Sequence, residues 1–184
     1  MFSDGSPHSP LMFVGEAPGE DEDRSGIPFV GKAGQKLTEI IELGLSKAIR
    51  EIAGLPVERV PRSSVYIANV IKCRPPGNRD PQVHEVAACR DYLRAQIELV
   101  DPVVICALGK PAAQRLLGDH VERVGRIRGD RFTLPERPSI VVVPTYHPSY
   151  LLRQYTPENR KKVYDDICEV VRVLAEAGRI PWWT

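Results

Sequence analysis

Four short apolar runs, rich in β-branched residues, constrain the fold of this chain more than any other feature of its sequence. None of them shows the regular polar alternation of a strand with one solvated face. We therefore expect strands that are covered on both faces of a parallel sheet. Loop-forming residues follow each run, and helical periodicity separates three of them. The runs span residues 11–14, 65–71, 103–108 and 140–143.

The segments between and after these runs have the periodicity of amphipathic helices. Thr156 is the expected N-cap of the last helix, Pro157 suits its first turn, and Gly178 is its expected stop. Strands that alternate with helices predict an α/β fold with right-handed crossovers, in which sites form beyond the carboxyl ends of the strands. The predicted helices span residues 34–53, 81–99, 110–118 and 157–177.

Composition narrows the class of protein. A length of 184 residues suits a single domain over residues 1–184, and 42% hydrophobic with 27% charged residues excludes a disordered or fibrous chain. No apolar run approaches the roughly 18 residues of a membrane span, and no signal pattern is seen, so we expect a cytoplasmic protein without membrane contact. A net charge of +1 means that any contact with nucleic acid must come from a local patch.

The loops after the first two strands carry candidate chemistry. Glu16 follows the first strand in a tight Gly- and Pro-containing turn, and Phe29 comes later in the same loop. This is either a solvated acidic turn with Phe29 plugging the core, or a carboxylate beside an aromatic platform. Asn69 ends the second strand; its amide either caps its own turn or reads the edge of a pyrimidine. Arg74 and Arg79, on the proline-stiffened loop that follows, have the charge to bind phosphates.

Of the loops after the last two strands, the first offers only a weak candidate site and the second carries a candidate functional histidine. Residues 109–111 (Gly-Lys-Pro) begin a helix and form at most a weak anion site, which is more often plain strand-to-helix punctuation. His147 lies at the tip of the fourth strand and is followed by Leu151, Leu152 and Arg153. A lone histidine is usually structural, but this one faces the loops that hold the carboxylate, the ring and the amide described above.

Taken together, these loops resemble the family 4 uracil-DNA glycosylases of the uracil-DNA glycosylase superfamily. Four segments match the family motifs in order, and the likeness covers nearly the whole chain. The resemblance implies a three-layer α/β/α sandwich around a four-stranded parallel sheet. It also implies a DNA-repair hydrolase that flips uracil out of DNA, hydrolyses its N-glycosidic bond and leaves an abasic site. The segments are GEAPG with Glu22 and Asp23 (residues 15–23), PFVGKAGQ (28–35), NVIKCRPP (69–76) and HPSYLLR (147–153).

The resemblance implies catalytic roles for Glu16 and His147. His147 would donate a hydrogen bond to the uracil O2, where negative charge develops. Glu16 would lie next to the sugar, where it either orients the attacking water or stabilises the cationic sugar. Phe29 would stack on the flipped base and Asn69 would pair with its O4 and N3–H, a pattern that cytosine reverses.

Further residues of the motifs are expected to line the pocket or to contact DNA. Ala17 and Glu22 match positions at the uracil pocket. Leu151 or Leu152 would fill the gap that the flipped base leaves in the duplex. The phosphates would be neutralised by Lys72, Arg74 and Arg153.

Family 4 enzymes are similar in carrying a 4Fe–4S cluster, for which Cys73 and Cys89 match two of the four cysteine ligands. The N-terminal Cys-x-x-Cys that supplies the other two is absent from this sequence. Either the chain is shortened, or the cluster is lost and both cysteines are ordinary thiols, or His8 and another group substitute as ligands. Such a cluster would be structural or would orient DNA, and no diffusible cofactor is expected.

Several expectations complete this interpretation. The substrate would be uracil-containing DNA, single- or double-stranded, and the protein would be a monomer. The long stretch over residues 44–64 is expected to alter a surface without touching the pocket, and the short link at 74–81, which has no histidine, favours hydrolytic turnover over covalent trapping. Two alternatives are a non-catalytic DNA-binding member of the same fold, and a nucleotide-binding protein that uses Gly109 and Lys110. The second lacks a Gly-x-Gly-x-x-Gly or Walker-type loop.

Overall fold

A six-stranded mixed sheet forms the centre of the protein in the computed structural model, which describes residues 1–183. The four inner strands run parallel in the order β3-β2-β4-β6, and the edge strands β1 and β5 pair antiparallel with β3 and β6. The strands are β1 (Ser3–Gly5), β2 (Leu11–Gly15), β3 (Tyr66–Asn69), β4 (Val104–Leu108), β5 (Phe132–Leu134) and β6 (Arg137–Thr145).

The four predicted apolar runs lie on the four parallel inner strands, which confirms that part of the α/β prediction. The expectation of a sheet of only four strands is wrong, because two edge strands extend it. Both edges are short: β1 has the sequence Ser-Asp-Gly and β5 has three residues, one of them exposed. Neither has a run of apolar residues, since an edge strand is not covered as an inner strand is.

Within residues 1–183, eight α-helices flank the sheet, and a π-helical stretch at Ile40–Leu45 joins α2 and α3 into one continuous helical segment. The four predicted helices correspond to α2–α3, α4, α5 and α8. The predicted cap of α8 is confirmed, since Thr156 accepts a hydrogen bond from the Asn159 backbone N–H at 3.1 Å. The helices are α1 (Glu20–Ser25), α2 (Lys32–Glu39), α3 (Ser46–Ala53), α4 (Val83–Val100), α5 (Lys110–Leu117), α6 (Val124–Ile127), α7 (Pro148–Arg153) and α8 (Pro157–Glu176).

The two faces of the sheet bury separate cores, which explains why the inner strands do not alternate with polar residues. Along β2, Leu11 and Phe13 pack with residues of α2, α3 and α8. Met12 and Val14 point the other way and pack with residues of α4 and α5. All four side chains are fully buried. Within residues 1–183, no helix is both long and apolar enough to cross a membrane.

Strand register places the carboxyl ends of the inner strands side by side. Gly15, the last residue of β2, lies opposite Asn69, the last residue of β3. On the other side of the sheet centre, Leu108 at the end of β4 lies opposite Thr145 at the end of β6. The loops that follow these four strands therefore leave the sheet at one edge, as expected for a parallel sheet.

A buried ion pair ties α8 to this edge. The Asp166 carboxylate is fully buried and accepts hydrogen bonds from Thr145 Oγ1 at 2.6 Å and from Arg128 Nε at 3.1 Å. The Arg128 side chain is only 18% exposed. Because Thr145 precedes the His147 loop, this pair supports the chain where it enters the candidate site.

We predict that Arg128→Met lowers the free energy of unfolding by about 3 kcal/mol, because it leaves the Asp166 carboxylate buried without its cation. Arg131→Met is the matched control. Arg131 pairs with Glu169 and Glu176 on the same helix but is 37% exposed, so its loss should cost less than about 1 kcal/mol. Urea unfolding of both variants measures the difference, and equal losses would contradict the assignment.

Candidate active site

A cavity of about 440 Å³ lies at the carboxyl edge of the sheet, between the loops that follow β2, β3 and β6. A larger groove of about 940 Å³ lies between α4, α5 and the β5–β6 turn, and it contains none of the residues that the sequence singled out. The smaller cavity brings most of them together. Its lining includes Glu16, Ala17, Glu22, Phe29, Asn69, His147 and Arg153.

The Phe29 ring is held against the end of β2 by two close approaches. Phe29 has a φ of +55°, which is uncommon for a residue other than glycine. A Cβ on Gly34 would overlap the Phe29 carbonyl group, and a Cβ on Gly15 would overlap the Phe29 ring and lie 2.5 Å from Asn69 Oδ1. The ring is 7% exposed, and its centroid lies 5.8 Å from that of the His147 ring. Phe29 therefore forms one wall of the cavity.

Glu22 connects the two ends of the loop that carries Phe29. One carboxylate oxygen accepts the Gly19 N–H at 3.1 Å, and the other accepts the N–H groups of Val30 and Gly31, each at 2.9 Å. These bonds use both oxygens for the loop itself. Glu22 thus positions the neighbouring residues, and direct contact with a base remains a prediction.

The amide of Asn69 is buried at the floor of the cavity. The residue is 1% exposed, and its Oδ1 has no hydrogen-bond partner among residues 1–183. The backbone around it is fixed, because the Val70 N–H donates to Gly15 O at 2.8 Å and the Ile71 N–H donates to Glu16 O at 3.0 Å. A buried acceptor without a donor is costly, so this atom favours a ligand that brings an N–H group.

His147 is a neutral imidazole with its proton on Nε2. The Ser149 backbone N–H, which can only donate, lies 3.2 Å from His147 Nδ1, so Nδ1 accepts and carries no proton. The Ser149 hydroxyl is 2.8 Å from the same nitrogen. Burial, with the positive charge of Arg153 nearby, lowers the pKa of His147 to about 4. Nε2–H is therefore a preorganised neutral donor at pH 7.

Glu16 also lines the cavity and is partly buried. Burial raises the pKa of its carboxyl above the ordinary 4.5, and the negative charge of Asp80 raises it further. Sequence reasoning gave no role to Asp80 or Ser149, although both line the cavity. Ser149 could have been predicted from the sequence, since it follows His147 by two residues within the same motif. Nothing in the local sequence distinguishes Asp80 from the other charged residues of its loop.

The structure contradicts the predicted phosphate contact of Lys72. The residue is 7% exposed, and its Nζ donates to Asn69 O at 2.8 Å and to Gln96 Oε1. Burial lowers the pKa of Lys72 to about 8. The ammonium group therefore supports the backbone of Asn69 from inside the protein and does not face a DNA backbone.

The other predicted DNA contacts divide by exposure. Leu151 is 3% exposed and belongs to the core, whereas Leu152 is 44% exposed, so only Leu152 is available to enter a duplex. Arg153 is exposed at the rim of the cavity. Arg74 is partly buried and pairs with Glu20 at 3.1 Å and with Asn78 Oδ1 at 2.7 Å.

The cysteines described by the structure do not fit a complete iron–sulfur site. Cys73 is exposed and Cys89 is partly buried, with its Sγ 3.3 Å from the Lys72 backbone N–H. No group of three or more His, Cys, Asp or Glu side chains within residues 1–183 is arranged to hold a metal ion, and His8 joins no such group. A 4Fe–4S cluster needs four protein ligands.

Comparison with known proteins agrees with this geometry. The profile of the uracil DNA glycosylase superfamily matches residues 2–168. A type-4 uracil-DNA glycosylase of Thermotoga maritima is 42% identical over 178 residues, which are 97% of this chain and 84% of that protein. One of Sulfurisphaera tokodaii is 40% identical over 94% of this chain and 73% of that protein. A DNA polymerase of Bacillus phage SP01 is 27% identical over 98% of this chain but only 17% of the polymerase.

The protein has an α/β fold, and an aromatic ring, an amide and an imidazole line a cavity at the carboxyl edge of its sheet. Together with the profile match over residues 2–168, this places it in the uracil DNA glycosylase superfamily. Identity to the type-4 proteins extends over almost the whole chain. The chain belongs to the type-4 uracil-DNA glycosylase family. The resemblance predicted from the four motifs is confirmed.

We predict that Gly15→Ala lowers the free energy of unfolding by about 1–3 kcal/mol, because its Cβ would overlap the Phe29 ring and crowd the Asn69 amide. In a Phe29→Ala background, Gly15→Ala should cost less than in the wild type, because no ring is left for its Cβ to overlap. Gly44→Ala is the control, since the nearest atom to its Cβ is 3.8 Å away. Thermal unfolding measures all three, and an unchanged or raised midpoint for Gly15→Ala would show that the contact is absent.

Proposed function

We propose that this protein removes uracil from DNA by hydrolysing the N-glycosidic bond, leaving an abasic site for base excision repair. The observation that carries this proposal is the unpartnered, buried Oδ1 of Asn69, in the same cavity as the Phe29 ring and the His147 donor. Its substrate is uracil-containing DNA, single- or double-stranded, and the protein acts as a monomer. The alternative is a non-catalytic DNA-binding protein of the same fold, which would leave uracil-containing DNA uncleaved after alkali treatment.

Recognition of the base uses shape and hydrogen bonding together. A uracil flipped out of the duplex stacks on the Phe29 ring. Its N3–H donates to Asn69 Oδ1, and its O4 accepts from Asn69 Nδ2. Cytosine has an acceptor at N3 and a donor at N4, so it would leave the buried amide unpaired on both sides.

Bond cleavage leaves the bonding electron pair on the uracil ring and positive charge on the sugar. His147 Nε2–H donates to O2, where negative charge grows, and the neutral imidazole stays neutral in this role. Glu16 lies beside the sugar. The raised pKa of its carboxyl makes it a better base toward the attacking water than an ordinary glutamate, and its charge also stabilises the cationic sugar. The water oxygen bonds to C1′ of the sugar as the N-glycosidic bond breaks, one proton of the water passes to Glu16, and the departing uracil anion takes a proton from solvent.

Contacts with the DNA backbone lie around the mouth of the cavity. Arg153 is placed at the rim for a phosphate, and Arg74 becomes available if DNA displaces Glu20 from it. Leu152 is the side chain exposed enough to fill the gap left by the flipped base. A balanced overall charge makes these local contacts the main source of affinity.

The proposal predicts that the wild-type protein creates alkali-labile sites at uracil in an oligonucleotide. His147→Ala should slow single-turnover excision by about 10²–10³-fold, as expected for loss of a preorganised donor to the developing negative charge. His84→Ala, an exposed residue near the start of α4, should keep the wild-type rate. Absence of breaks with the wild-type protein would favour the DNA-binding alternative, and a wild-type rate for His147→Ala would remove its assigned role.

Asn69→Asp tests recognition separately from catalysis. A carboxylate cannot donate to O4, so excision of uracil should fall about tenfold or more, a loss of about 1.4 kcal/mol or more in transition-state stabilisation. The ratio of uracil to cytosine excision should fall as well, since the substituted side chain accepts from the cytosine amino group. Asn159→Asp, in the first turn of α8 and outside the cavity lining, is the control. An unchanged ratio for Asn69→Asp would argue against the pairing.

A further inference from the structure

The Phe29 backbone is held in a conformation that it would not adopt by itself. Its φ of +55° lies in the left-handed region, where a Cβ-bearing residue is strained. Such a conformation persists only when the surrounding structure fixes the peptide groups on both sides. Glu22 fixes the following side, through the N–H groups of Val30 and Gly31. The preceding side needs a contact of its own.

Arg62 supplies that contact. Its guanidinium donates to the Pro28 carbonyl oxygen at 2.8 Å and to Thr38 Oγ1 at 2.9 Å. Two of its nitrogens donate to Asp4 Oδ2, at 3.1 and 3.2 Å, and its side chain is 17% exposed. The guanidinium thus joins β1, α2 and the loop that carries Phe29.

The Pro28 carbonyl belongs to the peptide group that enters Phe29. Rotation about the Phe29 N–Cα bond, which defines φ, turns this peptide group relative to the side chain. Holding the carbonyl therefore holds φ, just as the bonds to Glu22 hold the next two peptide groups. The ring is clamped from both sides against the end of β2.

We propose that Arg62 is a positioning residue for uracil excision, which acts through Phe29 by fixing the peptide group that sets the angle of the stacking ring. This deepens the proposed function and rests on it for its activity measurement. No residue of the stretch 44–64 lines the cavity, as the sequence predicts, yet one of them acts on it through the Phe29 loop. Arg62 lies in that stretch, in the 3₁₀ turn Arg62–Ser64 before β3, and it reaches the loop directly.

The geometry favours arginine over lysine at this position. The planar guanidinium bonds three partners at once in fixed directions, and the Asp4 carboxylate keeps it in place. A lysine ammonium carries charge to Asp4 but does not reproduce the fork. Arg62→Lys should therefore recover part of the function lost in Arg62→Met.

The test measures single-turnover excision of uracil in a double-mutant cycle. Arg62→Met should slow excision by about tenfold to a hundredfold, as a small misplacement of a contact group does, and Arg62→Lys should lie between it and wild type. In a Phe29→Ala background, Arg62→Met should have almost no further effect, because no ring is left to position. Arg131→Met, which loses an ion-paired guanidinium on another surface, should excise at the wild-type rate.

Equal slowing by Arg62→Met with and without the Phe29 ring would overturn the proposal, since Arg62 would then act elsewhere. Amide hydrogen exchange provides a readout independent of activity: Arg62→Met should speed exchange at Val30 and Gly31 more than in the strands, and unchanged exchange there would also overturn it. If Arg62→Met does not fold, Arg62→Lys and Asp4→Asn carry both measurements. A wild-type protein that leaves uracil in place would contradict the proposed function. The exchange measurement would still test whether Arg62 holds the loop that carries Phe29.

Discussion

Parallel pairing of β2 with β3 is the constraint on which the site depends. Its register sets Gly15 opposite Asn69, and two backbone hydrogen bonds continue beyond the strands, from Val70 to Gly15 and from Ile71 to Glu16. A slip of one residue would turn Asn69 to the other face of the sheet. The missing side chain of Gly15 then leaves the space in which the Phe29 ring and the Asn69 amide meet. The relative position of the Asn69 amide and the Phe29 ring thus follows from strand register and from the glycine at position 15.

Local patterns predicted the parallel inner strands and the main helices because burial on both faces leaves a direct trace in the sequence. The cavity residues were found by their place after those strands and by the resemblance to a family. Contacts between segments that are distant in the sequence could not be predicted from local patterns. Lys72 lies in a basic, proline-rich loop whose sequence is typical of a solvated segment. Its ammonium group is instead buried and donates to Gln96, which lies 24 positions further on in α4. Leu151 and Leu152 are equivalent by type, and the packing of α7 alone separates them.

Burial shifts the pKa values of two residues that line the cavity in opposite directions. It lowers the pKa of His147 and raises the pKa of Glu16, since in each case the charged form is disfavoured. For His147 the result is a neutral donor whose orientation is set by the Ser149 backbone. For Glu16 it is a more basic carboxylate beside the negative charge of Asp80.

The strained backbone of Phe29 and the hydrogen bonds that hold it both serve to fix the position of the ring. A stacking surface discriminates only if it stays in place when the base arrives, and the positive φ of Phe29 directs the ring where an ordinary loop conformation would not. The bonds that offset this strain come from far along the chain, from Glu22 within the loop and from Arg62 beside β3. Arg62 is in turn held by Asp4 on the edge strand β1. The short, polar edge strand that apolar patterning does not reveal is therefore connected, through one carboxylate and one guanidinium, to the loop of the Phe29 ring that lines the cavity.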